Sequence, residues 1–394
     1  MAEMPQTPRT PQTPADPDSG GQARWREVAR VFTVIGFIGF GGPAAHVALM
    51  REQLVARRGW IDDREFLDLN SACNLVPGPN STELAIHLGL QRAGWRGFVA
   101  AACGFILPAV AIVLVIAWAY DRYGTTPTAT SLSVGIVPVI VAVVAHATYS
   151  LGRAALRGPV LAALGLASTA AWLAGVNELI IMVSAATLHV LVRQATALRR
   201  TNSSVLLPLL APLTSSPAAS DPELWRLAGV FLKIGAVLYG SGYVLVSFLE
   251  RDLVQGLGWL TERQLLDAVA VGQVTPGPVF TTATFVGYQV AGLPGAIVAT
   301  VAIFAPAFVF VALLSRVTPL VRRSPVAGAA LDGVNAASVG LMAGAAIRLG
   351  DTALTSPLTW TLGAGALVAL VTKRLSSTWL VAIGAAAGLA QGWW

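Results

Sequence analysis

The sequence predicts an all-α polytopic membrane protein built from two homologous repeats. Three observations carry that expectation. The 394 residues are 55% hydrophobic and only 12% charged, where an ordinary soluble domain is about 25% charged. Residues 98–120, 123–152, 158–177, 352–372 and 375–394 contain no Asp, Glu, Lys or Arg, and about 20 such residues cross a bilayer as a helix. The second half also repeats the first at a fixed offset. Mean hydropathy is +0.67, too apolar for a soluble enzyme, and an open sheet could not satisfy its backbone in lipid.

At an offset of 199 residues the halves overlay without a gap from Val31 to about Phe105. Gly36 and Gly41 match Gly235 and Gly240, and Gly59-Trp60 matches Gly258-Trp259. Arg64, Leu67 and Asp68 match Arg263, Leu266 and Asp267. Pro77-Gly78-Pro79 matches Pro276-Gly277-Pro278, Thr82 matches Thr281, and Phe105 is paired with Phe304. Chance likeness between apolar segments explains aligned Val and Leu. It does not explain Trp, Asp, Arg and Pro-Gly-Pro (PGP) at one offset. The division reads as a disordered tail over 1–22, a first repeat over 23–198, a linker over 199–221 and a second repeat over 222–394. The tail is rich in Pro, Thr and Gln and has no apolar stretch that would make a signal peptide.

Each repeat opens with a helix (about 26–50; 224–248) broken by glycines, Gly39-Phe40-Gly41-Gly42-Pro43 or Gly240-Ser241-Gly242. A loop bearing Trp60 or Trp259 follows, suited to the membrane interface. Two short legs then flank the PGP: about 65–76 and 80–91, with 264–275 and 279–290 as counterparts. Four longer apolar helices complete each repeat, near 96–120, 131–151, 158–175 and 177–193, then 294–315, 327–348, 353–372 and 376–393.

Each PGP leg of about 12 residues is about 18 Å long at 1.5 Å per residue, half a bilayer. Charge arbitrates between a broken span and a re-entrant hairpin. With Lys233 set aside inside a helix, the spanning reading leaves the other Lys and Arg evenly split between the two sides. The re-entrant reading puts seventeen on one side and eight on the other, and the positive-inside rule makes the richer side cytoplasmic. The expectation is therefore about ten spanning helices, two re-entrant PGP hairpins, inverted repeats and both termini outside.

Pro-Gly-Pro at membrane depth is costly, because each Pro removes a backbone donor and clashes one turn back. Such a break is tolerated where it is buried in protein or lines a polar cavity, and inverted repeats with broken helices point to a transporter site near the midplane. The second leg starts right after PGP, so its leading N–H groups and positive dipole end face the bilayer centre. Helix N-termini bind anions. Asn80, Ser81 and Thr82 open the first such leg, Thr281 and Thr282 the second, and Asn74, Gln273 and Thr275 precede the breaks. These neutral donors suit a tetrahedral oxyanion. Alternatively Asn80 N-caps its own helix, with Glu83 completing a capping box.

Lys233 is the one Lys or Arg deep in an apolar helix, which makes it a functional candidate or a snorkelling side chain. His46 follows the glycine break and could donate to an anion or carry a coupled proton, or be a polar residue satisfied by a neighbouring helix. Glu83 is a further coupling candidate. His87, His146 and His189 read as structural. The full candidate binding set is Gly41, Gly42, His46, Asn74, Pro77, Gly78, Pro79, Asn80, Ser81, Thr82, Lys233, Gly240, Ser241, Gln273, Thr275, Pro276, Gly277, Pro278, Thr281 and Thr282.

Other chemistry has little support. The net charge of +6 resides in short loops and speaks for orientation, not nucleic-acid binding. Two cysteines, Cys73 and Cys103, make no disulfide framework. The four His are scattered without metal-ligand spacing. No cofactor signature, no nucleophile with a base and no P-loop is present, so neither an enzyme nor direct ATP drive is expected.

The strings Phe37-Ile38-Gly39-Phe40-Gly41-Gly42-Pro43-Ala44-Ala45-His46 and Asn74-Leu75-Val76-Pro77-Gly78-Pro79-Asn80-Ser81-Thr82-Glu83 resemble the chromate ion transporter family. So do Gly240-Ser241-Gly242-Tyr243 and Gln273-Val274-Thr275-Pro276-Gly277-Pro278. The resemblance runs from about Arg26 to the C-terminus and matches the family's long, two-domain form. It implies chromate export across the bacterial inner membrane, with resistance as the outcome and sulfate as the related oxyanion. The expected partners are chromate, sulfate as its analogue, membrane lipid and a second copy in a homodimer, with no nucleic acid and no cofactor. The alternatives are a sulfate carrier, a chromate/sulfate exchanger or an oxyanion channel.

Overall fold

A computed structural model describes residues 17–40, 42–73, 77–124, 126–198, 224–239, 244–321, 325–372, 375 and 377–391. Every regular element among them is helical. The first repeat comprises α1 (Pro17–Ile38), α2 (Gly42–Met50) ending in a π turn (Arg51–Ala56), α3 (Asp63–Cys73), α4 (Asn80–Tyr123), α5 (Pro127–Ala155), α6 (Pro159–Leu173) and α7 (Glu178–Leu198). The second comprises α8 (Leu224–Val237), α9 (Leu245–Leu249) ending in a π turn (Glu250–Gly256), α10 (Glu262–Val274), a 3₁₀ turn (Val279–Thr281) leading into α11 (Thr282–Val321), then α12 (Pro325–Ala353), α13 (Pro357–Val371) and α14 (Ser377–Gln391). Five helices, within α4, α5, α7, α11 and α12, are long and apolar enough to cross a membrane. The shorter apolar helices α6, α13 and α14 accompany them. α1 begins at Pro17, inside the stretch expected to be a disordered tail. The rest of that tail, and the linker over 199–221, lie outside the described residues.

The first repeat is a zigzag. α1 enters from one end of the bundle and stops at Gly39. α2 then folds back, because Trp60 Nε1 donates to the Glu27 carboxylate at 3.2 Å and the Arg92 guanidinium lies 5.1 Å from the centre of the Trp60 ring. This overturns the reading of 26–50 as one spanning helix. A straight helix of that length would carry its ends about 36 Å apart at 1.5 Å per residue. The PGP legs are a second hairpin: Gln91 Nε2 donates to Glu65 Oε1 at 3.1 Å, joining the outer ends of α3 and the first leg of α4.

α4 then reverses sharply at Ala93 (φ −143, ψ 27) and Gly94 (φ 59, ψ −150), and α11 does the same at Ala291 (φ −146, ψ 30) and Gly292 (φ 60, ψ −153). Gly89 meets Gly97 at this elbow so closely that a Cβ on Gly89 would lie 2.4 Å from the Gly97 carbonyl oxygen, and Gly287 meets Gly295 in the same way at 2.3 Å. After the elbow the long leg of α4 runs parallel to α1, with Gly104 against Ala29 and Thr33, and Gly36 against Phe105 and Pro108.

These elbows correct the ungapped overlay. Gly89 with Gly287 and Gly94 with Gly292 are separated by 198, not 199. Phe105 therefore corresponds to Ile303 and not to Phe304. The 3₁₀ turn at Val279–Thr281 explains the lost residue. Three residues at about 2.0 Å rise cover the length of four at about 1.5 Å.

Cross-repeat packing defines a two-fold relation. α5 packs on α14 through Gly135 against Gly384 and Gly388, and its counterpart α12 packs on α7 through Gly333 against Ala185 and Ala186. The equivalent helices α5 and α12 run antiparallel, because Gly152 touches Val339 while Val141 touches Gly350. The axis relating the repeats is thus perpendicular to these helices. The hairpins of the first repeat open from the end holding Trp60, and those of the second from the opposite end, where Arg251 donates to the carbonyls of Gly175 and Val176. Leu198 and Leu224 lie at opposite ends of the bundle.

Candidate functional site

The hairpin tips meet in the middle of the bundle. The Gly78 amide, in the PGP of the first repeat, donates to the carbonyl of Leu238 at the end of α8 at 2.7 Å. The Gly277 amide, in the PGP of the second, donates to the carbonyl of Gly39 at the end of α1 at 2.9 Å. The offset of 199 relates both partners, so one contact is the other's two-fold image. Each PGP turn caps the broken first helix of the opposite repeat and satisfies carbonyls that a helix end leaves open.

The second PGP sits between α1 and the long leg of α4. Gly277 has φ +94, and a Cβ there would lie 2.7 Å from the Ala109 Cβ. Both proline turns start a helix. Pro79 O accepts from the amides of Thr82 (2.7 Å) and Glu83 (3.0 Å), and Pro278 O accepts from the amide of Thr281 (3.0 Å). Two helix N-terminal ends therefore point into the centre from opposite sides.

His46 is fully buried and joins the two hairpins of its repeat. Its Nε2 is 2.8 Å from Gly39 O and its Nδ1 3.3 Å from Ser81 Oγ. A carbonyl only accepts, so Nε2 carries the hydrogen and Nδ1 accepts from the Ser81 hydroxyl. Gly39 O thus accepts from its own repeat's His46 and from the other repeat's Gly277. The ring edge meets Phe105 with centroids 5.3 Å apart.

The expected hydroxyl donors are largely committed elsewhere. Thr275 Oγ1 donates to Val271 O, Thr281 Oγ1 to Pro278 O and Thr282 Oγ1 to Val279 O, while Thr284 pairs with Thr300. Such back-bonding to the preceding turn is common for Ser and Thr in helices. Thr82 Oγ1 and Gln273 Nε2 are buried and have no hydrogen-bond partner among the described residues. Asn80 is the first helical residue rather than the cap. Pro79 occupies the cap position without a side-chain hydrogen bond, so the alternative capping box does not form. Glu83 is left fully buried with neither carboxylate oxygen hydrogen-bonded among the described residues. It lies beneath Gly78, where a Cβ would come 2.3 Å from Oε1. An unpaired carboxylate is costly in such a place.

The tips bring together Gly39, His46, Pro77 to Glu83, and Gly277 with its flanking prolines. Gly42 is buried at the start of α2. Gly41, Asn74, Gly240 and Ser241 lie outside the described residues. Lys233 is not at the tips: its ammonium pairs with Asp252 at 2.5 Å, tying α8 to the π turn behind it. Sequence reasoning missed Leu238, which acts through its backbone carbonyl and so leaves no side-chain signal. It also missed the partners of Asp267, which accepts from Tyr120 Oη at 2.6 Å and Ser133 Oγ at 3.1 Å across the repeat boundary. Only the match of Asp68 with Asp267 pointed there. A groove of about 1120 Å³ runs along the outer face of α1 and α4 and does not include the PGP turns.

Comparison with known proteins places this architecture. The family model for chromate transporters matches residues 26–190 and 225–389, one match per repeat. A chromate transport protein of Cupriavidus metallidurans is 33% identical over 376 residues, covering 92% of each chain. A probable chromate transport protein of Synechococcus elongatus is 31% identical over 375 residues, covering 92% of this chain and 95% of its own. A chromate transport protein of Pseudomonas aeruginosa is 31% identical over 330 residues, covering 81% of this chain and 79% of its own. No solved structure matches.

Proposed function

Because this chain belongs to the chromate transporter family, we propose that it is a secondary carrier that moves chromate out of the cell, holding the dianion between the two PGP helix ends. What supports this most directly is the paired tip contact, Gly78 with Leu238 and Gly277 with Gly39. It puts two positive dipole ends in one place, where they favour a negative charge. The central contacts are closed, so access from either side requires that one pair of tips part. The two-fold relation makes the two openings equivalent, as alternating access needs.

Among the described residues the topology proposed has eight crossing helices: the long legs of α4 and α11 together with α5, α6, α7, α12, α13 and α14. Four hairpins enter from the ends without crossing. This replaces the expectation of ten spans with both termini outside. The arginines support it. Arg24, Arg26, Arg30, Arg51, Arg57, Arg58, Arg64, Arg92, Arg96, Arg153, Arg157 and Arg193 fall at the end holding Trp60. Arg122, Arg226, Arg251, Arg263 and Arg348 fall at the other. Twelve against five makes the Trp60 end cytoplasmic by the positive-inside rule, and α1 then begins inside.

Direction follows from charge. One elementary charge moved through 100 mV is worth about 2.3 kcal/mol. A dianion leaving an inside-negative cell gains about 4.6 kcal/mol, so export needs no coupling ion. The test is radiolabelled chromate flux in inside-out vesicles, with and without excess sulfate. Energised accumulation blocked by sulfate is the expected result, for a site that reads a tetrahedral dianion. No accumulation, with protein present and a potential maintained, would overturn export and favour sulfate uptake. Flux that neither saturates nor trans-stimulates would favour an oxyanion channel.

A further inference from the structure

The groove on the outer face of α1 and α4 differs at its two ends. Its mouth, at the arginine-rich end of the bundle, is formed by Trp25, Arg26, Trp95 and Arg96. The Arg26 guanidinium lies 5.6 Å from the centre of the Trp25 ring. The far end, near Phe37 and Leu107, is apolar. From residue 95 to residue 111 the floor of α4 extends about 24 Å at 1.5 Å per residue. One leaflet with its headgroups is about 20–22 Å thick. Trp95, Phe37 and Leu107 are each at least half exposed, so the groove opens where the protein meets lipid.

The second repeat supplies an internal comparison. The positions equivalent to Trp25, Arg26, Trp95 and Arg96 are Leu224, Trp225, Leu293 and Pro294. The helix pair α8 and α11 repeats the packing of α1 and α4, and Arg226, 5.8 Å from the centre of the Trp225 ring, repeats the Trp25–Arg26 pair one residue further on. Pro294 stands where α4 has Arg96, so the pairing of two arginines across the mouth belongs to one repeat and one leaflet, and helix packing does not require it.

We propose that this groove binds an anionic phospholipid of the cytoplasmic leaflet, its phosphate between Arg26 and Arg96, its glycerol level flanked by Trp25 and Trp95, and an acyl chain lying along Cys103 towards Leu107. Arginine matches phosphate geometry, and tryptophan favours the headgroup level. The lipid would lie against Gly104 and Pro108, whose inner side meets Gly36, so its binding bears on the helix pair that holds the second PGP.

The proposal takes only its choice of leaflet from the topology above. The chain carries its own reporter. Cys103 is exposed and lines the groove, while Cys73 is fully buried. The full chain is placed in phosphatidylcholine nanodiscs and in discs of equal parts phosphatidylcholine and phosphatidylglycerol, and alkylation by uncharged N-phenylmaleimide is timed. Attraction of about 1 kcal/mol per arginine gives roughly a thirtyfold preference for the anionic lipid. Cys103 should therefore react severalfold more slowly in phosphatidylglycerol, and Arg26→Gln with Arg96→Gln should restore the faster rate. Each single variant should restore part of it, which keeps the test valid if the double variant folds poorly, and Arg122→Gln at the other end should change nothing. Equal rates in the two lipids, or slowing that survives loss of both arginines, would overturn the site. Ready Cys103–Cys103 disulfide formation on oxidation would put a second copy in the groove instead. Nanodiscs present both leaflets, so a negative result leaves chromate carriage standing, and failed chromate flux leaves the labelling result intact.

Discussion

The amide of Gly277 donates to the carbonyl of Gly39 at 2.9 Å, joining the proline turn of one repeat to the broken helix of the other. This bond and its two-fold image at Gly78 are the central contacts between the hairpins. A carrier that alternates must break and remake them.

Gly277→Ala tests that junction. Its φ of +94 disfavours a side chain, and a Cβ would press on Ala109. Left-handed strain and overpacking together cost roughly 2 kcal/mol or more. Chromate flux should fall several-fold, with a lower melting temperature in detergent. Gly78, at φ +137, shares the backbone strain, but a Cβ there meets only the end of the Glu83 side chain and no backbone or Cβ atom, so without the overpacking its melting temperature should fall less. Equal loss of stability in both would contradict the local packing described.

His46→Ala removes two buried contacts, to Gly39 and Ser81. At about 1 kcal/mol for each hydrogen bond, a loss of about 2 kcal/mol is expected. Glutamine can donate and accept from nearly the same position and should recover part of both stability and flux. Full flux in His46→Ala would remove His46 from the positioning of the first PGP leg.

Lys233 pairs with Asp252, with about a third of the lysine side chain exposed. A double-mutant cycle of Lys233→Ala and Asp252→Ala should give a coupling of about 1 kcal/mol in stability. The chromate KM should stay within about twofold, an energy difference of only about 0.4 kcal/mol. A tenfold rise in KM for Lys233→Ala, with normal stability, would return Lys233 to the anion site.

Sidedness can be read chemically. In a background with Cys73 and Cys103 replaced by Ser, single cysteines at Arg58 and Arg122 lie at opposite ends. A membrane-impermeant maleimide should label Arg58→Cys only in inside-out vesicles and Arg122→Cys only in intact spheroplasts. Labelling of both from one side would refute the crossing of the membrane by the long leg of α4.

The primary sequence by itself determined the class, the duplication and the place of the breaks. Hydropathy over about 20 residues reports the solvent a helix needs, and Pro-Gly-Pro interrupts a helix whatever surrounds it. Trp60 and Trp259 marked the outer turns for the same local reason. The tertiary structure alone decided that α1 and α2 form a hairpin, because periodicity within a segment does not say where its far end goes. It decided the register after PGP, where a 3₁₀ turn stands in for a missing residue. It also decided how the side chains divide their hydrogen bonds. Thr281 and Thr282 return theirs to the preceding turn, Lys233 has Asp252, and Glu83 has no hydrogen-bond partner among the described residues. Those outcomes depend on which backbone carbonyls and charges two antiparallel repeats bring within 3 Å of each other, and a single chain read in order does not contain that distance.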